Sequence, residues 1–501
     1  FPIMDEKITL RVFAGQPAYI ENFGTNEFVK MYEEMTNVHI EWEAVPSASL
    51  IEKKNLVFAS GDFPGVFLGA NLTQDEDMLY GSQGVLIPLN DLIDKYSVHV
   101  KNAFAEQPWS RPVITTPDGN IYSLPQIGRA YHTLYPRKFW INRVWLDNLG
   151  LDIPKTTDDL YRVLKAFKEG DPNGNGKADE YPLSAETAET HFSFIMSAFI
   201  LTDPKHYLIV EDGKADLCAD QPAYRDGLRF LSKLYAEGLL DVEAFTRDRD
   251  QLRQIAQNAD AALLGSFPTL SFGAITGIIG TSKNAEEYTW VPPLTGPNGV
   301  QSAVYEPFQY INGKFAITTE CEYPEAAIRW VDYGFGEEGW IRIKFGREGI
   351  EWVAAEAGAL GTRGAPAKYK FPENLRQQAK LQNAHIRHVF PVYQTWAMHE
   401  SFKATGKETE QVLIRATEEY EGNERAEIYP PVYLTKDQVG EIVHIKTALT
   451  DAITEYRARF IVGDMDIEED WDQYVKDLGN MGRDRYVEIY QEALDTYMAN
   501  Q

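Results

Sequence analysis

Cysteine is nearly absent. The 501 residues hold two, Cys218 and Cys321, too few for a disulfide scaffold and too far apart for a metal motif, so both are expected as free structural thiols. No run of 18 apolar residues occurs, and no membrane-spanning helix is expected. Positive charge is scarce: 48 Lys and Arg stand against 75 Asp and Glu. The resulting net charge of −27 repels phosphate backbones and anionic lipid surfaces and argues against nucleic acid as a partner. The glycines of Gly273–Gly280 lack the Lys-Ser/Thr that a phosphate loop needs. Gly-Xaa-Ser-Xaa-Gly and His-Glu-Xaa-Xaa-His are missing as well, which removes two common hydrolase signatures. His385 and His388 have a spacing that a metal could use on a helix, but no carboxylate motif accompanies them. The start, Phe1-Pro-Ile-Met-Asp, is expected of a mature or trimmed chain rather than of an initiator sequence.

Against these absences stands one short stretch, Asp171-Pro-Asn-Gly-Asn-Gly-Lys-Ala-Asp-Glu180. Oxygen-bearing side chains fall at positions one, three and five of a calcium loop, as Asp171, Asn173 and Asn175. Gly176 stands at position six, where such a loop turns sharply, and Asp179 at position nine. Lys177 at position seven would offer its backbone carbonyl. The loop departs from the EF-hand at position twelve, where Pro182 replaces the bidentate Glu, so Glu180 would have to close the shell. One calcium in so long a chain suits a structural clip better than a sensor.

The length exceeds the range in which one core keeps growing, and two to four lobes are expected. Hydrophobic residues at 44% suffice for buried cores. Alternation marks a strand over Lys7–Phe13, a helix over Phe23–Thr36, a strand over Val38–Ala44, a helix over Leu50–Ala59 and a strand over Gly65–Leu68. That order implies an α/β fold with a mainly parallel sheet, whose ligands sit beyond the strands' carboxyl ends. A small-residue strand is expected over Ala259–Gly265, and the last third reads as mostly helical.

Aromatic residues make up 12% of the chain, and many lie in segments without core periodicity: Trp109, Tyr131, Trp290, Tyr305, Phe308, Trp352, Tyr393 and Trp396. Sugars pack their C–H faces on such rings while their hydroxyls need fixed polar partners. The set therefore points to carbohydrate. Trp396 is the leading stacking candidate, with Tyr393, Trp352, Tyr305 and Phe308 behind it; Arg129, His132, Glu306 and His385 are the candidate polar partners. The segment Asn383–Trp396, with its Pro391 break, is expected to be an exposed mixed surface.

Several stretches resemble the extracellular solute-binding proteins of ABC importers (family 1), in the subgroup that handles oligosaccharides. They include Asp118-Gly-Asn-Ile-Tyr-Ser-Leu-Pro125, Trp145-Leu-Asp-Asn-Leu-Gly-Leu151 and Phe315-Ala-Ile-Thr318 before Pro324-Glu-Ala-Ala327. Phe460-Ile-Val-Gly-Asp464, Trp471-Asp-Gln-Tyr474 and Tyr490-Gln-Glu-Ala493 also match. The loop Asp171–Glu180 is similar to the calcium site of the alginate-binding proteins, where the acid matching Glu180 closes the shell.

The resemblance implies a two-lobed periplasmic-binding-protein-like α/β fold, with a hinge of crossing strands and a helical C-terminal third. The N-terminal lobe is expected from residues 1–125 plus about 308–372, and the C-terminal lobe, carrying the calcium loop, from 126–307 plus 373–501. It further implies capture of an oligosaccharide in an interlobe cleft and delivery to permease subunits, without chemistry on the sugar. The protein would be a monomer outside the cytoplasmic membrane, either a lipid-anchored cell-surface protein or periplasmic. Two other classes share the acidity, the aromatics and the calcium: a secreted polysaccharide lyase or hydrolase, and a secreted adhesion scaffold. An enzyme would need an acid or base poised at the scissile bond, and no motif nominates one.

Overall fold

Alternation over its first half gives the first strand two faces. In Ile8–Gln16 the residues Ile8, Leu10 and Val12 are buried while Thr9 and Arg11 are exposed. A computed structural model of the protein describes residues 1–128, 130–186, 192–202, 206–280, 282–372, 382–404 and 409–499. Arg129 lies outside the described residues. The strand Ile8–Gln16 pairs in parallel with Val38–Pro46 and with Val66–Leu68. Tyr310–Ile317 then pairs antiparallel with Val66–Leu68, and Ser123–Ile127 antiparallel with Tyr310–Ile317. The expected parallel sheet is thus a three-stranded parallel core extended by two antiparallel strands. The register of the last pair slips between Ile311 and Phe315. Gly313 sits there at φ +62, and a Cβ on it would meet the Leu72 backbone at 2.2 Å, so only glycine fits.

The chain divides into two units. The first comprises Phe1–Ala130, Phe308–Ala404 and Pro431–Gly440, the second Tyr131–Pro307, Thr405–Pro430 and Glu441–Gln501. The expected second lobe needs correction: residues 126–130 and 431–440 belong to the first unit, and so do the described residues 382–404. The reason lies in their backbone bonds. Ile127 N–H donates to Val392 O at 3.0 Å and Gln394 N–H to Ile127 O at 2.9 Å, so the segment runs along the strand Ser123–Ile127. Gly128 permits the approach, since a Cβ there would sit 1.8 Å from Gln394 O.

The first unit's core packs Phe13, Phe58 and Phe67 with Leu72 and Tyr122, and Phe58 stacks on Tyr80 with ring centroids 3.6 Å apart. In the second unit, Phe139–Asn142 is flanked by Ser266–Pro268 and Tyr288–Val291, both antiparallel. The small-residue strand expected over Ala259–Gly265 thus begins at Ser266. Helices Thr157–Glu169, Pro222–Ala236, Trp471–Asn480 and Arg483–Ala499 belong to this unit. Thr156 and Asp159 form the capping box that starts the first of them and satisfies N–H groups that have no intrahelical partner. Among the described residues no helix is long and apolar enough to cross a membrane. Cys218 is buried and Cys321 half-buried, and among the described residues neither is part of a disulfide.

Candidate functional site

In the first unit, Phe308 meets the Trp109 ring edge-on at 5.9 Å, and Tyr310 meets it at 6.2 Å. The Trp109 indole N–H donates to Gln107 Oε1 at 2.9 Å. One residue back, Glu106 Oε2 accepts the Tyr393 hydroxyl at 2.8 Å. Burial, with the Glu106 bond added, pushes the Tyr393 phenol up to about 12. Two of the expected sugar-facing residues, Phe308 and Tyr393, are thereby joined through Glu106, Gln107 and Trp109. Tyr393 itself is only 6% exposed. Trp396, three residues on, opens the short helix Trp396–Glu400 capped by Thr395 and is 40% exposed.

Three expectations for this segment and its neighbours need correction. His385 is fully buried, and neither ring nitrogen has a hydrogen-bond partner. Burial, then the charges of Arg387 and His388, hold its imidazole down at about 3. It is a neutral core residue against the Tyr19 ring. Trp352 is 5% exposed and gives its indole N–H to Gly346 O at 2.9 Å, so it too belongs to the core. The expected mixed exposed surface over Asn383–Trp396 is reduced to a few side chains, because Ala384, Ile386, Val389, Phe390 and Val392 are all buried.

The second unit gathers a denser group. The turn Tyr131–Leu134 presents its side chains to acids from residues 410–424. Tyr131 donates its hydroxyl to Glu421, His132 Nδ1 lies 2.8 Å from Glu410 Oε1, and Tyr135 donates to Glu424 Oε2 at 2.7 Å. Burial works against the Glu424 charge, yet the Tyr135 hydroxyl and the Gly422 N–H outweigh it and hold the carboxyl below its usual range. Tyr305 packs its ring 5.1 Å from that of Tyr135, and Glu306 N–H donates to Leu134 O at 2.8 Å. Lys138 is buried beneath, its amine donating to the carbonyls of His132 and Tyr135. Burial pulls that amine down to about 7. Tyr305, Glu306 and His132 are therefore brought together. The acids that complete the group were missed, because carboxylates are too common in this chain for three of them to stand out.

The loop Asp171–Glu180 curls around its own oxygens. Asp171 accepts the N–H groups of Asn175 and Gly176 at 3.1 and 3.0 Å, and Asn173 Oδ1 accepts the Asn175 N–H at 3.0 Å. Asn175 Oδ1 accepts the Lys177 N–H at 2.8 Å, and both amide side chains reach Asp179. Glu180 Oε1 is buried without a donor. Burial, then the charges of Asp179 and Asp171, push its carboxyl up. Three acids sharing one turn with no cation repel one another, and a buried acceptor without a partner is costly. Among the described residues no cluster of three His, Cys, Asp or Glu suffices to hold a metal. The donors here are mixed instead, carboxylate, amide and carbonyl oxygens, which is the set that a hard cation prefers. The residues fit calcium.

Residues 14–339 match the model of the family described as bacterial extracellular solute-binding protein. Over 518 aligned positions the chain is 31% identical to the fructooligosaccharide ABC transporter substrate-binding protein FusA of Streptococcus pneumoniae, covering all of this chain and 92% of the relative. The structure of FusA in complex with kestose superposes with a TM-score of 0.83 at 30% identity, over 99% of this chain and 100% of that one. An EF-hand mutant of FusA in complex with fructo-nystose gives the same TM-score at 29% identity and the same coverage. A human-milk-oligosaccharide-binding solute-binding protein of Bifidobacterium longum infantis shares the fold, with a TM-score of 0.85 at 22% identity over 98% of this chain and 99% of that one. Matched over most of its length by the family model and over all of it by FusA, the chain belongs to the bacterial extracellular solute-binding proteins.

Proposed function

We propose that the protein is the oligosaccharide-capturing component of an ABC importer, acting as a monomer that hands its sugar to permease subunits and performs no chemistry on it. The observation that carries this reading is the end-to-end likeness to FusA. Short neutral fructans such as kestose and nystose are accordingly the first ligands to try. The two ring-bearing groups supply what a sugar needs. Trp396, Phe308 and Trp109 offer apolar faces in the first unit, and Tyr305, backed by the buried Tyr135 ring, does so in the second. Around the latter, Glu421, Glu424 and Glu410 are acceptors for sugar hydroxyls.

The loop Asp171–Glu180 holds one calcium through Asp171, Asn173, Asn175, the Lys177 carbonyl, Asp179 and Glu180. The ion neutralises the three acids and fixes the turn between the helix Thr157–Glu169 and Tyr181, which is itself tied to Leu263 and Gly265 by backbone bonds. Its part is structural.

Thermal shift across kestose, nystose, alginate and polygalacturonate oligosaccharides tests the assignment. A ligand at 100 times its dissociation constant adds about 2.7 kcal/mol to stability. A shift with the fructans and no new product by mass spectrometry is expected; cleavage of any sugar overturns the transport reading.

A further inference from the structure

A buried carboxylate in the first unit is tied to three separate passages of the chain. Asp77 is fully buried in the helix Gln74–Ser82. Its Oδ2 accepts from Ser123 Oγ at 2.7 Å, Asn312 Nδ2 at 2.8 Å and the Tyr433 hydroxyl at 3.0 Å. Ser123 stands on the strand after which the chain leaves this unit at Ala130. Asn312 stands on the strand by which it returns at Phe308, and Tyr433 within the ten-residue return Pro431–Gly440. Asp77 Oδ1 and Asn312 Oδ1, the two oxygens left over, are both buried with no donor.

We propose that Asp77 is a neutral acid in a cyclic acid–amide pair with Asn312, and that its proton fastens Pro431–Gly440 to the roots of the connections between the two units. One hydrogen on Asp77 Oδ1, given to Asn312 Oδ1, supplies both orphaned oxygens at once. Asn312 Nδ2–H already closes the other side of the ring.

The surroundings favour the neutral form. Glu76, the preceding residue of the helix, is a like charge, and Lys54 is bound to it at 2.6 Å. The phenols of Tyr433 and Tyr310 face the same group and carry no positive charge. Burial outweighs the three donors and pushes the Asp77 carboxyl up to about 7. A folded-state value raised above the unfolded one means that the contribution is complete below about pH 4 and is lost as pH rises through about 7. Above that, a buried anion lacks a cation and draws water, and the short return anchored by Tyr433 is the part that yields.

Amide hydrogen exchange over Val432–Gly440, normalised to intrinsic rates, tests this on the full chain at pH 6 and pH 8. With a midpoint near 7, the wild type is expected to exchange roughly tenfold faster at pH 8. Asp77→Asn supplies a permanent N–H to Asn312 Oδ1 and keeps an acceptor for the other donors, so the segment is expected to stay protected at both values. A flat wild type, or an Asp77→Asn variant as exposed at both values as the wild type at pH 8, overturns the proposal. Infrared spectra of the wild type read the proton without any variant: a protonated-carboxyl band that fades between pH 6 and 8 is expected, and its absence at pH 6 overturns the assignment.

Discussion

The Tyr393 hydroxyl donates to the Glu106 carboxylate at 2.8 Å, and the ring behind it is almost wholly buried. Tyr393 therefore acts as a post that fixes Glu106, leaving Trp396 as the more exposed ring of the pair. A stacking indole contributes on the order of 1–3 kcal/mol. Trp396→Ala is expected to weaken kestose binding by roughly 5- to 150-fold, at 1.4 kcal/mol per decade. Tm should fall only modestly, since the ring is partly exposed and lies outside the packed cores. Titration calorimetry and thermal melts on one preparation separate the two readouts; unchanged affinity with a fallen Tm would return Trp396 to the core.

The second unit allows a finer division between packing and polarity. Tyr305→Ala removes the ring that packs over the buried Tyr135 and is expected to cost about 1–2 kcal/mol of sugar binding, roughly 5- to 30-fold in Kd. Tyr135→Phe keeps the ring and frees Glu424 from the bond that holds its charge. That variant should retain most of the affinity while the Glu424 carboxyl moves up toward its usual range, which carboxyl-carbon NMR can follow. Equal losses in both variants would mean that the hydroxyl–carboxylate pairs, not the rings, carry recognition here.

Calcium removal should act on stability. With a chelator, the three acids of the loop face one another without the ion, and Tm is expected to fall; a metal held only by the folded state at 100 times its dissociation constant accounts for about 2.7 kcal/mol. Asp179→Ala should lower Tm in calcium and leave it insensitive to chelator. Kestose affinity should change less than twofold in either case. A large loss of affinity at constant Tm would show that the loop serves the sugar rather than the fold.

Much of this architecture is legible because local rules and tertiary packing agree. The alternation in Ile8–Gln16 and Val38–Pro46, the capping box at Thr156 and the loop at Asp171 all depend on residues a few positions apart. Their elements lie close to where the pattern puts them. The segment Val389–Gln394 fails for the opposite reason. Its proline and flanking basic residues read as surface, but its backbone is claimed by Ile127, more than 260 positions earlier, and that bond decides which side chains are buried. His385 was misread as a polar partner on the same ground, since nothing local tells a buried neutral imidazole from an exposed one. Asp77 gave no signal at all. Its partners Ser123, Asn312 and Tyr433 lie up to 356 positions away, and an acid among 75 carries no mark of burial.

His385 yields the sharpest pH test outside the sugar groups. Its folded-state value of about 3 lies below the ordinary imidazole value of about 6.5. Between those limits the unfolded chain binds a proton that the folded one does not, so stability falls as pH drops through 6.5 and continues to fall towards 3. His385→Leu fills the site without a titrating ring, and Asn26 keeps its bond because it donates to the His385 backbone carbonyl at 3.1 Å. Near neutral pH the variant is expected to match the wild type within about 1 kcal/mol, as two unpaired nitrogens are exchanged for apolar contact. At pH 4.5, two units below the ordinary imidazole value, it should be more stable than the wild type by about 2–3 kcal/mol, at 1.36 kcal/mol per unit. Urea melts of both proteins at the two pH values measure the difference, in which the titrating groups remote from His385 cancel. A variant that loses stability equally at both would show that the imidazole carries a hydrogen bond in the core, and kestose affinity should be the same in both proteins throughout.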